Sequence, residues 1–122
     1  MKLLNLAVQL AGQSKDSKNY YLACVGKRSD GAIVSSVNHY MPSNPYPEHH
    51  AEARALRKCD IGSVIYVARV FKDRETPANA KPCKYCQTFI RNRGVKKAYF
   101  TTGPNTYGVW YPDKDLWIDY EL

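Results

Sequence analysis

The sequence predicts a three-layer α/β/α domain in which helices cover both faces of a mixed five-stranded sheet. Two observations lead to this fold class. Three segments carry helix signals, namely apolar spacing, strong helix formers, or a proline start with a glycine stop, and five segments show strand-like alternation or short apolar runs. Strands and helices also alternate after an opening pair of strands, which is typical of layered α/β domains. The length of 122 residues supports one domain, residues 1–122, with a single core.

The first third of the chain predicts a helix followed by a hairpin. Residues 2–12 carry apolar side chains at helical spacing and end at a glycine. Two β-rich runs, residues 20–25 and 32–38, flank the turn-forming residues 27–31. We therefore expect two antiparallel strands to open the sheet.

The middle of the chain predicts a loop, a helix and a central strand. Residues 41–48 contain three prolines and are expected to form a loop beside the candidate site that begins at residue 50. Residues 50–58 are rich in alanine and predict a helix. Residues 63–71 are apolar enough to lie in the middle of the sheet, and a polar loop over residues 72–81 follows them.

The last third predicts another helix and a final hairpin. Pro82 suits the start of a helix over residues 83–93, and residues 97–102 predict the next strand. Alternation over residues 115–120 predicts the last strand. Only about a dozen residues separate these two strands, which is short for the helical crossover that a parallel return requires. We therefore expect the last two strands to form an antiparallel hairpin, with the aromatic residues near them in the core or at the rim of a site.

The charge distribution points to anionic partners. The chain carries a net charge of +7, and residues 81–97 contain six lysines or arginines and no acidic residue. Such a segment attracts a phosphate group or a nucleic-acid backbone, although a solvent-facing helix of a basic protein would have the same composition. No apolar run approaches the roughly 20 residues that span a bilayer, so we expect no membrane partner.

The cysteines predict a reducing compartment. Cys83 and Cys86 form a C-x-x-C pair, whereas Cys24 and Cys59 lie in apolar contexts and are expected to be buried free thiols. Residues 1–11 are better explained by an amphipathic helix than by a signal peptide. We therefore expect a cytoplasmic protein without disulfides.

Two short segments carry the candidate chemistry. His50-Ala51-Glu52 supplies an imidazole and a carboxylate, and Pro82–Cys86 supplies two thiolates at a helix start, where the helix dipole favours them. Catalytic zinc takes three such ligands and leaves its fourth position to water, so the carboxylate is available to move protons. The alternatives are a structural zinc site completed by His39 or His49 and a redox C-x-x-C.

The spacing H-x-E followed by P-C-x-x-C resembles the signature of the zinc-dependent cytidine and deoxycytidylate deaminase superfamily. The order of the predicted elements agrees with this superfamily across nearly the whole chain. The resemblance implies a Zn2+ ion held by His50, Cys83 and Cys86, and a zinc-bound hydroxide that attacks C4 of cytosine. It also implies that Glu52 is the catalytic proton shuttle.

The resemblance implies substrate contacts as well. Asn38 closes the second strand, where an asparagine of the superfamily contacts the base or sugar; an amide offers both a donor and an acceptor, although a turn-forming asparagine is the alternative. The backbone N–H groups of Ala51 and Cys83 would flank the base. Lys84 is the basic residue closest in sequence to the site, so we expect it to bind a phosphate.

Two features point to different branches of the superfamily. The antiparallel final hairpin resembles the free-cytidine deaminases, whereas a histidine as first ligand resembles the deoxycytidylate, tRNA-adenosine and polynucleotide branches. With the basic segment, the histidine favours a nucleotide over a nucleoside, and dCMP is the first choice of substrate. The alternatives are a deaminase of single-stranded DNA or RNA, deamination of a purine by the same residues, and a non-catalytic zinc-binding module of the same fold. By analogy we expect a homo-oligomer.

Overall fold

A computed structural model describes residues 1–13, 21–38 and 51–122. Its helices are α1 (Lys2–Gly12), α2 (Ala51–Leu56) and α3 (Lys84–Asn92). Its strands are β1 (Tyr21–Lys27), β2 (Ile33–Val37), β3 (Val64–Val70), β4 (Pro77–Ala78), β5 (Lys97–Gly103), β6 (Thr106–Tyr111) and β7 (Leu116–Glu121). The proline-rich loop predicted over residues 41–48 lies outside the described residues, as does the predicted first residue of α2.

The strands form one mixed sheet, as the sequence predicts. Its order is β2-β1-β3-β5-β6-β7, and the short β4 pairs with β3. β3 runs parallel to β5, and every other neighbouring pair is antiparallel. β3 is therefore central, as its apolar composition predicts.

The predicted number of five strands is too low, because the described residues contain seven. The chain does end in an antiparallel hairpin, but its strands are β6 and β7. The pairing predicted between residues 97–102 and 115–120 is wrong, since β6 lies between them and pairs with both. A two-residue turn is enough to reverse an antiparallel chain, so the segment expected to be a loop has room for a strand of its own. The other added strand, β4, lies in the predicted loop over residues 72–81.

The two faces of the sheet carry different helices, which confirms the three layers. On β1, Ala23 and Val25 pack under α1, whereas Leu22 and Cys24 belong to the core that α2 and α3 cover. This alternation follows from the two-residue period of a strand. None of the helices in the described parts of the chain combines the length and the apolar character needed to span a bilayer.

Candidate site residues collect at one edge of the sheet. β2, β3, β5 and β7 all run in the same direction, so their carboxyl ends lie at the same edge. Asn38 directly follows β2, and its side-chain oxygen accepts a hydrogen bond from Leu22 N at 3.1 Å. The segment before α3 is held to the end of β5 by the bond from Ala80 N to Thr101 O at 2.8 Å. This places the start of α3 at that edge.

Candidate active site

The two cysteines of the C-x-x-C pair occupy the first turn of α3. Cys83 is the N-cap residue with extended backbone, and its sulfur accepts a hydrogen bond from Cys86 N at 3.4 Å. The side chain of Gln87 donates to Pro82 O at 3.0 Å, which fixes the entry into the helix. At its other end α3 is followed by Gly94, whose φ of +72° allows the chain to leave the helix as predicted. The Cys83 side chain is exposed and that of Cys86 is fully buried.

The carboxylate of Glu52 lies close to the Cys86 thiol. Glu52 is in the first turn of α2 and is only 3% exposed. Its carboxylate interacts with the Cys86 thiol, so the H-x-E and C-x-x-C segments meet across two helix starts. A carboxylate is seldom buried to this degree without a partner or a function. Glu52 and Cys86 therefore lie close together in the fold although 34 positions separate them in the sequence.

The surroundings of Cys86 favour its protonated form when no metal is bound. A hydrogen bond with Cys83, burial and the charge of Glu52 raise the pKa of the Cys86 thiol. Burial, with the charge of Glu52, also raises the pKa of Cys24 on β1. Placing negative charges together at a buried site is unfavourable unless a proton or a cation compensates them. Cys24 and Cys59 are both buried free thiols, which confirms that prediction.

The chemistry of these donors fits zinc. Two thiols from one helix turn, with a buried carboxylate beside them, are a donor set that zinc prefers to hard cations such as magnesium. Within the described ranges, no three His, Cys, Asp or Glu side chains form a metal-binding group by themselves. His50, the third predicted ligand, lies outside those ranges, so its coordination stays a prediction.

The predicted substrate contacts have distinct environments. The side chain of Asn38 is 7% exposed and holds the start of β1 through Leu22, so it has a structural role in addition to any contact with a base. Ala51 is fully buried at the first residue of α2. Lys84 is exposed at the first residue of α3. Contacts of these residues with a substrate stay predictions.

A cavity that no sequence pattern predicts lies at the same edge of the sheet. It has a volume of about 580 Å³, and its lining residues come from the segment before α3 and from the ends of three strands: Asn79, Lys81, Phe100, Thr102, Thr106, Trp117, Asp119, Tyr120 and Glu121. These residues follow no local spacing in the sequence. The nearest signal was the cluster of aromatic residues near the end of the chain, expected in the core or at the rim of a site. Trp117 does both, since it packs against the core and lines the cavity.

Comparison with known proteins agrees with this geometry. The family model for the cytidine and deoxycytidylate deaminase zinc-binding region matches residues 1–102, which include both motifs. No curated protein was found to match the chain. The family is a zinc-binding one, which supports Zn2+ as the cofactor. Because the match covers most of the sequence, the chain belongs to the cytidine and deoxycytidylate deaminase family.

Proposed function

We propose that this protein is a zinc-dependent hydrolytic deaminase of a cytosine-containing nucleotide or nucleoside, and dCMP is our first choice of substrate. The observation that carries the proposal is the buried Glu52 carboxylate beside Cys86, at the point where the starts of α2 and α3 meet. A zinc domain with only a structural role would not need this carboxylate. Membership of the deaminase family supports the same reaction class.

The metal would be held by His50, Cys83 and Cys86. When bound, zinc lowers the pKa of a coordinated water to near neutrality and so supplies the nucleophile. The chain positions its two thiolates through the first turn of α3, where the N-terminal end of the helix stabilises negative charge. Because binding displaces the thiol protons, zinc affinity is expected to fall as the pH is lowered.

Glu52 would carry the protons of the reaction. Water adds to C4 of cytosine, the bond between C4 and the exocyclic nitrogen breaks, and uracil and ammonia are the products. Glu52 accepts a proton from the attacking water, delivers it to N3 of the ring, and then assists proton transfer to the leaving amine. Its burial excludes bulk water, which would otherwise exchange protons with the carboxylate.

The substrate would be bound by groups on both sides of this carboxylate. Asn38 would contact the base or sugar, and the backbone N–H groups of Ala51 and Cys83 would flank the base. Lys84 is the phosphate ligand that closeness in sequence suggests, and Lys81 is the one that the cavity described below suggests. The net charge of +7 favours an anionic substrate such as a nucleotide. We also propose a cytoplasmic homo-oligomer, since Cys24 and Cys59 are free thiols and the edge strand β7 carries an exposed Leu116.

A substrate panel tests the proposal. Zinc-loaded protein is incubated separately with dCMP, CMP, deoxycytidine, cytidine, adenosine, guanine and a cytosine-containing oligonucleotide, and ammonia release and product mass are measured. We expect conversion of a cytosine mononucleotide or nucleoside, and no conversion by Glu52→Ala. Conversion of the oligonucleotide alone would instead identify a polynucleotide deaminase. Stoichiometric zinc with no turnover of any substrate would contradict the proposal and favour a non-catalytic zinc module.

A further inference from the structure

One residue of the cavity belongs to the segment that carries the two cysteines. Lys81 lines the cavity and stands two residues before Cys83, so their Cα atoms are at most about 7.6 Å apart. The side chain of Asn79 accepts a hydrogen bond from Lys81 N at 3.1 Å, which fixes the backbone at this point. The Lys81 side of the cavity is therefore close to Cys83, on the β5 side of the sheet, whereas Asn38 follows β2 on the other side.

The Lys81 side chain is positioned by an aromatic stack. Its Nζ lies 4.5 Å from the centre of the Trp117 ring, and the ring of Trp110 is stacked against Trp117 with centres 4.7 Å apart. Asp115 accepts hydrogen bonds from the indole nitrogens of both tryptophans, at 3.0 and 3.3 Å. Trp110 is fully buried, so its ring fixes the position of the stack. Attraction between an ammonium group and an aromatic face keeps the lysine over the cavity while leaving its donors available.

The remaining lining residues offer two different chemistries. Thr102 and Thr106 contribute hydroxyl groups whose oxygens are 2.6 Å apart, and Asn79 contributes an amide. Asp119 and Glu121 contribute carboxylates from β7. Lys81 belongs to the segment that leads to Cys83, so the positive and negative groups come from different segments of the chain. A sugar phosphate has matching groups, since it carries an anion and at least one hydroxyl donor.

We propose that this cavity binds the sugar and phosphate of a nucleotide substrate, with Lys81 as the phosphate-binding residue and Trp117 as the residue that positions it. The carboxylates of Asp119 and Glu121 offer an acceptor to a sugar hydroxyl and repel the phosphate towards Lys81. This inference rests on the proposed function, because it assumes that the base of the same substrate reaches Glu52. A volume of about 580 Å³ lies within the range of small-molecule sites, roughly 300–1,000 Å³.

Steady-state kinetics with a matched pair of substrates test the assignment. We expect Lys81→Ala to raise KM for dCMP by roughly 10- to 100-fold, as the loss of a charge-assisted hydrogen bond predicts, with little change for deoxycytidine. Lys81→Arg should restore most of the affinity for dCMP. Lys114→Ala removes an exposed lysine at the other end of the β6–β7 hairpin and should not change KM for either substrate. Equal losses for both substrates in Lys81→Ala, or no loss, would overturn the proposal.

Trp117 has its own test because it acts through Lys81. Trp117→Leu should raise KM for dCMP by a larger factor than KM for deoxycytidine. If Trp117 had only a structural role, both substrates would be affected to the same degree. Since this variant can lose stability, its thermal unfolding is also measured. Lys81→Met keeps Trp117 and provides a second measure of how much the Lys81 ammonium group contributes to KM for dCMP.

Direct binding separates failure of this proposal from failure of the proposed function. If no substrate is deaminated, calorimetric titration of the zinc-loaded protein with dCMP and with deoxycytidine still measures the affinity of the cavity for each compound. Tighter binding of dCMP that disappears in Lys81→Ala would support the subsite although the deaminase assignment had failed. Equal affinities for the two compounds would overturn the subsite. A selective loss of dCMP binding in Lys84→Ala but not in Lys81→Ala would assign the phosphate to Lys84 and would also overturn it.

Discussion

Residues 1–102 and residues 103–122 meet at the same edge of the sheet, where the first part supplies the proposed catalytic residues and the second part supplies more than half of the cavity lining. The first part matches the deaminase family and contains Glu52, Cys83 and Cys86. The second part contributes five of the nine residues that line the cavity: Thr106, Trp117, Asp119, Tyr120 and Glu121. Under our proposals, the reaction chemistry belongs to the part shared with the family, and much of the substrate selection belongs to the hairpin that follows it.

The two parts are nevertheless joined by specific contacts. Asp115, in the turn between β6 and β7, accepts a hydrogen bond from Arg91 of α3 at 2.9 Å. The guanidinium of Arg91 also lies over the ring of Trp110, 5.0 Å from its centre. The helix that carries the cysteines is therefore tied to the hairpin that lines the cavity. Substitutions in either part can test whether chemistry and selection separate as we propose.

The largest effect is expected from Glu52→Gln, which keeps the size of the side chain but removes its ability to take up a proton. We predict that kcat falls by roughly 10²- to 10⁴-fold, the usual contribution of a positioned acid or base. Zinc content, measured by mass spectrometry of the native protein, should not change. An active Glu52→Gln enzyme would show that the proton shuttle lies elsewhere.

The next effect concerns the metal. Cys86→Ser should weaken zinc binding by about 10²-fold or more, because loss of a ligand costs at least as much as loss of a residue that supports one. Competition with a chromogenic chelator measures the affinity. Cys59→Ser provides the comparison, since it replaces a buried free thiol that lies outside the motif. Equal zinc affinity in Cys86→Ser and the wild-type protein would remove Cys86 from the ligand set.

The packing of the final hairpin against β5, which belongs to the part that matches the family, can be tested at Gly108 on β6. A Cβ atom at this position would lie 2.7 Å from Cε2 of Phe100 on β5 and closer still to Cζ. We predict that Gly108→Ala lowers the free energy of unfolding by about 1–3 kcal/mol, the usual cost of overpacking. Chemical denaturation measures this change.

A double-mutant cycle shows whether the Phe100 ring is the cause. Phe100→Leu removes the ring, so the added cost of Gly108→Ala should be smaller in that background. Identical costs of Gly108→Ala in the two backgrounds would mean that the clash with Phe100 does not explain the need for glycine.

The smallest effect is expected at Asp60, far from the proposed chemistry. Hydrogen bonds from the Ser29 side chain and from Ser29 N, at 3.0 Å, hold the pKa of Asp60 well below its usual range, with a further bond of 2.7 Å from Ser63. A carboxyl whose pKa is lowered on folding stabilises the protein above its unfolded pKa of about 3.9, and this contribution is lost as the pH falls through the folded value.

Asp60→Asn therefore has a pH-dependent effect on stability. The difference in free energy of unfolding between Asp60→Asn and the wild-type protein should shrink as the pH is lowered below about 4. Unfolding by denaturant at a series of pH values measures it, with kcat/KM unchanged at neutral pH. A difference that stays constant across this range would mean that the carboxylate charge does not contribute.

Much of the fold could be predicted because local patterns specify it. The helix predicted over residues 2–12 has those same bounds, since its apolar spacing and its final glycine are local signals. β6 was missed because Gly108 interrupts the strand pattern of its segment. That glycine is required by the ring of Phe100 on a neighbouring strand, which no local rule reveals.

The site was predictable to the extent that its residues follow a spacing. Glu52 and Cys86 meet because each lies in the first turn of a helix that starts at the same edge of the sheet. The cavity could not be predicted in this way, since Lys81 and Trp117 are 36 positions apart and meet only through the order of the strands. Spacing within a motif predicted the proposed catalytic residues, whereas the cavity residues proposed to bind the sugar and phosphate needed the tertiary structure.

We propose that this chain catalyses a zinc-dependent deamination in which Glu52 moves the protons and Cys83 and Cys86 are zinc ligands. The most direct test is titration of zinc into the metal-free protein while ammonia release from dCMP and deoxycytidine is followed. We predict that activity rises with added zinc and saturates near one zinc per chain, as expected for a single catalytic metal. Activity that does not depend on zinc, or no ammonia from either substrate at stoichiometric zinc, would contradict the account.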